Sequence, residues 1–408
     1  MRRKFLFALL LILTATGLFA SDYSDYYGSI TDSDFFTGDI NTGTTVFQLL
    51  RIPAGGIAEA MGTAQTAVAA DTSSIMYNPA VTSLLDLTEL TFGHNNWISD
   101  SSIESVNFTT RFDDLGISAG FKMLYLPFTG RDDWGESYVR GYPLEAVLSM
   151  NAAYNFFRNY YFNGISAGLS LKTGYRYISD DFYEDQSSFA VMGDFGLYTS
   201  FNFLKFYDSR DKNFSLGTVF RNAGIETLGE ALPTEFAAGF AYSPIHPLNL
   251  AFDFVLPVNL LGEESEEWYM AGGFNAIMTD FFSIQGGFNW RGSNPRLSLG
   301  TTIDLAEVAF NINYMQDLAT STDALDRFSI EARIKLGDEG RYERQHMVDE
   351  LYIAGLGAYA NGDLQKAIAY WEAALELDNS FTPAEEFIAS AARSIDLLNR
   401  MEELNRVE

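Results

Sequence analysis

The chain has 408 residues, no cysteine, and 26 Lys and Arg against 54 Asp and Glu, a formal charge of −28. That balance excludes a nucleic-acid partner, whose phosphates demand a basic surface, and the lack of cysteine excludes a disulfide framework and a lipidated cysteine anchor. Aromatic residues at 15% and 34 glycines in such a chain favour an outer-membrane β-barrel over a soluble β-sandwich.

Residues 1–20, MRRKFLFALLLILTATGLFA, open with Arg2, Arg3 and Lys4 and continue as an apolar run to Ala20. The run is short for a membrane helix and has the flanks of a secretory signal, so the expectation is an exported chain with a removed leader. No later stretch reaches the roughly 18 consecutive apolar residues of a spanning helix. Residues 21–50 show no period and read as an extended lead-in.

Residues 53–80, PAGGIAEAMGTAQTAVAADTSSIMYNPA, are dominated by Ala, Gly, Ser and Thr, with Ile57, Met61, Val68, Ile75 and Met76 as scattered apolar contacts. A short helix is expected over 57–70. Asn78-Pro79 marks a turn, because the residue before proline is pushed out of the α region. The segment is expected to lie inside a barrel, as the core of a plug spanning 21–86. Its proposed plug and ligand-side residues are Gly55, Gly56, Met61, Gly62, Asp71, Ile75, Tyr77, Asn78 and Pro79.

From 87 to 337 the pattern becomes alternation, clean in some segments. In 165–177, Ile165, Ala167, Leu169, Leu171, Thr173, Tyr175 and Tyr177 alternate with Ser166, Gly168, Ser170, Lys172, Gly174 and Arg176. Period two places one set on each face of a strand, and ~10 residues suffice for a tilted strand to cross a bilayer. About fourteen such segments begin near Thr88, Glu104, Leu115, Leu144, Asn163, Ser188, Lys212, Thr234, Pro247, Glu267, Phe281, Pro295, Glu307 and Asp326. An even number closes a barrel with both ends on the periplasmic side. Connections over 131–142, 179–187 and 260–266 are longer and acidic; those near Asp113-Asp114 and 244–246 are short, as an outer-membrane barrel requires.

The polar strand faces carry Arg111, Lys122, Lys172 and Arg176, together with Arg221, Arg333, Lys335, Asp194, Glu235, Asp253, Glu307 and Glu331, all expected in the lumen. One or two cations could pair with the carboxylate of an amphipathic ligand. The mixture of signs favours mutual neutralisation for most. Gly-x-Ser-x-Gly occurs at 116–120 and 164–168, but a nucleophile elbow needs a strand, a sharp turn and a helix, and both copies lie in uninterrupted alternation. His94, His246 and His346 are not in ligand spacing. The acidic clusters Asp132-Asp133, Asp180-Asp181 with Glu184-Asp185, and Glu263-Glu264 with Glu266-Glu267 match no calcium loop. Neither an enzyme nor a cofactor or metal is expected.

Residues 338–408 read as a small helical domain on the periplasmic side. The run 359–379, YANGDLQKAIAYWEAALELDN, resembles the tetratricopeptide (TPR) repeat through Tyr359, the Gly362-Asp363 turn, Ala367, Tyr370 and the Ala374-Leu375 ending. Thr382-Pro383 starts a further helix, with an N-cap and proline at the first position. The resemblance implies a protein-docking surface, with Tyr359, Tyr370 and Trp371 as the partner-binding candidates. One repeat falls short of the ~3 needed for independent stability, so this part is expected to lean on another surface.

The skeleton Gly55-Gly56, Gly62, Asp71 and Asn78-Pro79-Ala80 resembles the N-terminal plug signature of FadL-type long-chain fatty acid transporters, and is similar to the PorV/PorQ branch and to FadL-like proteins of spirochaetes. The resemblance covers about 50–336. It implies an all-β transmembrane antiparallel barrel of about 14 strands with an N-terminal plug, in contact with outer-membrane lipid, passing long-chain fatty acids or similar hydrophobic molecules between plug and wall. The PorV-like branch implies instead a scaffold or secretion accessory whose helical domain docks periplasmic proteins.

Overall fold

The computed structural model describes residues 45–407 apart from 98–100, 132–133, 135, 182–184, 208, 262–264, 292–293 and 318–326. The expected signal at 1–20, most of the lead-in, and the acidic residues Asp132, Asp133, Glu184, Glu263 and Glu264 lie outside the described residues. The chain divides into two compact units, one of Met1–Tyr154 with Ser166–Leu336, the other of Asn155–Ile165 with Gly337–Glu408.

The first unit is a closed antiparallel barrel of fourteen strands: β1 (Thr88–Asn96), β2 (Ser102–Phe112), β3 (Leu115–Tyr125), β6 (Leu144–Phe156), β7 (Ile165–Tyr177), β8 (Ser188–Phe201), β9 (Phe214–Gly224), β10 (Glu235–Ile245), β11 (Leu248–Pro257), β12 (Tyr269–Thr279), β13 (Phe282–Arg291), β14 (Asn294–Leu305), β15 (Val308–Asp317) and β16 (Arg327–Gly337), with β16 returning to pair with β1. A separate hairpin, β4 (Phe128–Arg131) with β5 (Ser137–Gly141), fills the β3–β6 connection. It is an addition to the sequence expectation, too short to show a period. The fourteen observed strand starts follow the alternation closely, since one apolar face per strand fixes register.

That alternation is inverted relative to a soluble protein. On β7, Leu169 and Leu171 are 63% and 58% exposed, while Ser166, Gly168, Ser170, Lys172 and Gly174 are buried. The same holds on β6 and β8, where exposed Leu148, Met150, Phe189 and Val191 alternate with buried Ser149, Asn151, Ala190 and Met192. The buried polar face points into the barrel. At the end where β1 begins and β16 finishes (the terminal end), β2–β3, β10–β11, β12–β13 and β14–β15 are joined by two-residue turns; the β6–β7 and β8–β9 connections there are longer. Glu307 sits in one of these turns, exposed rather than in the lumen.

Residues 45–87 run from the far end of the barrel to the start of β1 in irregular steps. They form a 3-10 turn at Gln48–Leu50, a helix α1 (Gly56–Ala60), and 3-10 turns at Thr72–Met76 and Pro79–Ser83. The helix expected over 57–70 is therefore only five residues long. Gly62 at φ +66° and Thr63 at φ +70° turn the backbone left-handed and end it.

The second unit contains α2 (Arg341–Ala360), α3 (Leu364–Leu377) and α4 (Thr382–Val407). Its core is Trp371 with Val348, Ala358, Ala367, Ala374, Phe381, Ala384 and Ala391. The indole Nε1 donates to the Tyr352 carbonyl at 3.2 Å, and Gly355 leaves the space the ring occupies. Tyr160 of the 155–165 segment stacks edge-on against Phe381 at 5.2 Å, and the Tyr161 hydroxyl donates to Glu386 at 3.0 Å.

Candidate functional site

The interior of the barrel is built by close approach. Gly287 of β13 faces the backbone of Met61 and Gly62, and Gly217 of β9 faces the Thr66 carbonyl, so near that a Cβ at either position would overlap backbone. Small residues of the N-terminal segment thus meet small residues of the wall. Met61 is buried with Ile57, Ala64, Val68, Ala241, Ala251 and Ala271; Ile75 is buried with Ala80, Val81, Leu85 and Tyr198. Gly55 and Gly56, at φ +109° and +75°, lie against Ser329, Glu331 and Ser73.

Polar groups fix the remainder. Asn78, fully buried, caps the turn at Pro79–Ser83 by accepting from the Ala80 N–H at 3.1 Å. Its amide donates to the Thr66 carbonyl at 2.8 Å and to Leu197 of the wall at 3.1 Å. Pro79 occupies the first position of that turn, where its missing N–H costs nothing. Asp71 accepts from the Ser73 N–H at 2.9 Å and pairs with Arg333 of β16 at 2.8 Å. Tyr77 borders an internal cavity and lies under the Arg221 guanidinium at 5.8 Å.

At the far end, Arg51 pairs with Glu235 at 3.1 Å and with Glu266. Arg221 pairs with Glu235 at 2.8 Å, Arg291 with Glu266 at 2.5 Å, and the Tyr269 hydroxyl donates to Glu235 at 3.1 Å. Lys122 donates to the Leu49 carbonyl at 2.8 Å and to that of Ile52, tying the first turn to β3. The other lumen cations singled out by sequence also have partners. Lys172 lies 2.6 Å from Asp194, Arg176 lies 3.8 Å from Glu145, and Arg111 lies 3.7 Å from Asp86. Sequence reasoning passed over Arg51 and Glu59. The signal for Glu59 was available: a single acid inside a run of Gly, Ala, Ile and Met.

The cavity between segment and wall measures about 70 Å³ and is bordered by Arg51, Tyr77, Lys122, Arg221, Tyr269 and Glu331, among others. At roughly 10–15 Å³ per water it has room for about five waters, far below the roughly 300 Å³ of a small-ligand pocket. Among the described residues no group of three or more His, Asp or Glu is arranged to hold a metal ion. Ser118 and Ser166 lie within β3 and β7, facing Asn151 and Ser83 respectively, so neither stands on a nucleophile elbow.

In the helical unit, Tyr359 is half-buried against Trp371 and Phe387, and Tyr370 is half-buried beside Lys366. Trp371 is 0% exposed. This corrects its assignment as a partner-binding residue: Ala367, Trp371 and Ala374 form the i, i+4, i+7 stripe that holds α3 against its neighbours.

A family model described as an uncharacterised protein family (UPF0164) matches residues 29–339. A UPF0164 protein of Treponema pallidum (strain Nichols) is 28% identical over 375 residues, covering 88% of this chain and 85% of the relative. A second UPF0164 protein from the same organism is 24% identical over 391 residues, covering 85% and 75%. Among solved structures, the Pseudomonas putida toluene transporter TodX aligns with a TM-score of 0.46 at 11% identity, over 69% of this chain and 97% of that one. The KdgM porin aligns at 0.31 and 10% identity, over 61% and 99%.

Proposed function

The chain belongs to the uncharacterised protein family UPF0164, and from that premise we propose that it is an outer-membrane channel closed by its own N-terminal segment. The observation that carries this reading is the inverted barrel: an apolar outer face, a polar buried inner face, and residues 45–87 packed within. An apolar exterior of this extent is stable in lipid and not in water. The cargo is a long-chain fatty acid or a similar hydrophobic small molecule, passing between segment and wall. Supporting this class, two apolar clusters touch the inner face of β8, Val46 and Phe47 against Ala190 and Met192, and Ile75, Ala80 and Val81 against Tyr198, with the Asp194–Lys172 pair between them. Moving the segment off β8 would uncover both apolar clusters. The terminal end, with its two-residue turns, faces the periplasm.

Proteoliposomes offered a fluorescent long-chain fatty acid and a hydrophilic sugar should admit the first and exclude the second. Uptake of the sugar alone would overturn the reading. A second reading, a PorV-like scaffold whose TPR-like domain docks periplasmic proteins through the Tyr359 and Tyr370 surface, draws support from the separate core around Trp371. Chemical cross-linking in cells with and without 341–408 tests it, and an unchanged set of partners would refute it.

A further inference from the structure

Four carboxylates, Glu59, Asp71, Glu89 and Glu331, are buried together where α1 meets β1 and β16. Among the described residues, the only cation forming ion pairs with any of them is Arg333, 2.8 Å from Asp71 and 3.7 Å from Glu89. Glu89 also accepts from Thr72 at 2.7 Å. Glu59 has no ion-pair partner: Oε2 accepts from Asn95 at 3.2 Å, the Ser329 hydroxyl and the Gly55 N–H lie beside the carboxyl, and Oε1 makes no well-aligned hydrogen bond. Glu331, with its own Oε1 unpartnered, lies against Gly56 at the start of the same helix. A fully buried carboxylate without a cation or a full set of donors is unstable as an anion.

We propose that Glu59 is a proton-operated latch, holding the N-terminal segment in the barrel while its carboxyl is protonated and releasing it when the proton is lost. The groups facing it explain the direction. From β16 come Glu331, Ser329, Arg333 and Arg327, from β1 Glu89 and Asn95, from β3 Lys122, and from the turn at Thr72–Met76 its cap Asp71 and the following Tyr77. β13, β14 and β15 meet the α1 region through Gly287, Gly300 and Asn313, which carry no charge. Lys122 is committed to two backbone carbonyls, and Arg327 to Asp317 and the Trp97 ring. Ionised Glu59 would therefore face Glu331 with no ion-pair partner of its own.

Burial pushes the Glu59 carboxyl up to about 7 from its ordinary 4.5. A group raised in the seated state stabilises that state fully below the ordinary value, and the contribution is lost as pH rises through about 7. Between pH 6 and 8.5 this linkage amounts to about a tenfold rise in the released population.

The inference rests on the segment being the movable closure. Amide hydrogen exchange on the full chain in detergent micelles, corrected for the intrinsic rate, reads it without requiring transport. Protection over 56–76 in the wild type should fall about tenfold from pH 6 to 8.5, and E59Q should stay protected at both. Glu59→Met serves if E59Q fails to fold. A wild type without pH response, or a tenfold loss retained in the variant, would overturn the latch. Fatty acid uptake in parallel separates the two readings. A working latch with no uptake removes the channel assignment alone, and uptake with pH-invariant protection removes the latch alone.

Discussion

Asn78→Ala attacks the point where the N-terminal segment is held both to itself and to the wall. The side chain makes three hydrogen bonds, to Ala80 N–H, the Thr66 carbonyl and the Leu197 carbonyl, and is completely buried. Losing a cap costs about 1 kcal/mol, and leaving a buried carbonyl or N–H unsatisfied costs about 1–3 kcal/mol. Since the terms overlap, about 2–4 kcal/mol in total is reasonable, which shifts the closed-to-open balance by roughly 30- to 1,000-fold. The opened barrel has a polar inner face, so the excess open population appears as ionic leak in planar bilayers. Asn78→Ser, which keeps an acceptor near the Ala80 N–H but loses both amide N–H donors, should leak at an intermediate level. Equal conductance per barrel for wild type and Asn78→Ala would refute the claim that this turn holds the interior closed.

Gly62→Ala places a Cβ 2.5 Å from the Phe288 nitrogen at φ +66°, and should raise leak by at least the ~1–2 kcal/mol of a left-handed alanine. Gly229→Ala, at φ +74° with nothing within 4 Å, should leave leak unchanged in the same bilayers. Lys122→Met removes the donor to the Leu49 and Ile52 carbonyls; exchange over 45–52 should accelerate while 72–83 stays protected, as mass spectrometry of the peptides would show. Trp371→Ala empties the centre of the helical unit and should cost about 3–5 kcal/mol. The helical far-UV signal would melt at lower temperature while the barrel keeps its heat-modifiable gel mobility.

The barrel was legible because period two is a local property: Ile165 to Tyr177 reads the same in sequence and in structure. The helix over 57–70 was misjudged because the chain turns left-handed at Gly62 and Thr63, where it packs against the Phe288 backbone, more than two hundred residues away. Burial of Arg111, Lys122, Lys172 and Arg176 followed from alternation, but their partners did not. Whether Lys122 meets a carboxylate or a carbonyl depends on the barrel's stagger and on the path of residues 49–52. Trp371 illustrates the opposite error, since a 3.6-residue periodicity through Ala367 and Ala374 marked it as core.

The central claim is that the N-terminal segment must leave the wall for cargo to pass. The chain has no cysteine, so Ser83→Cys with Ser166→Cys gives a single, reversible tether. The two hydroxyl oxygens lie 2.5 Å apart, joining the Pro79–Ser83 turn to β7. Fatty acid uptake by proteoliposomes carrying the double variant should stop on oxidation and return on reduction. Equal uptake in the oxidised and reduced states would contradict the account.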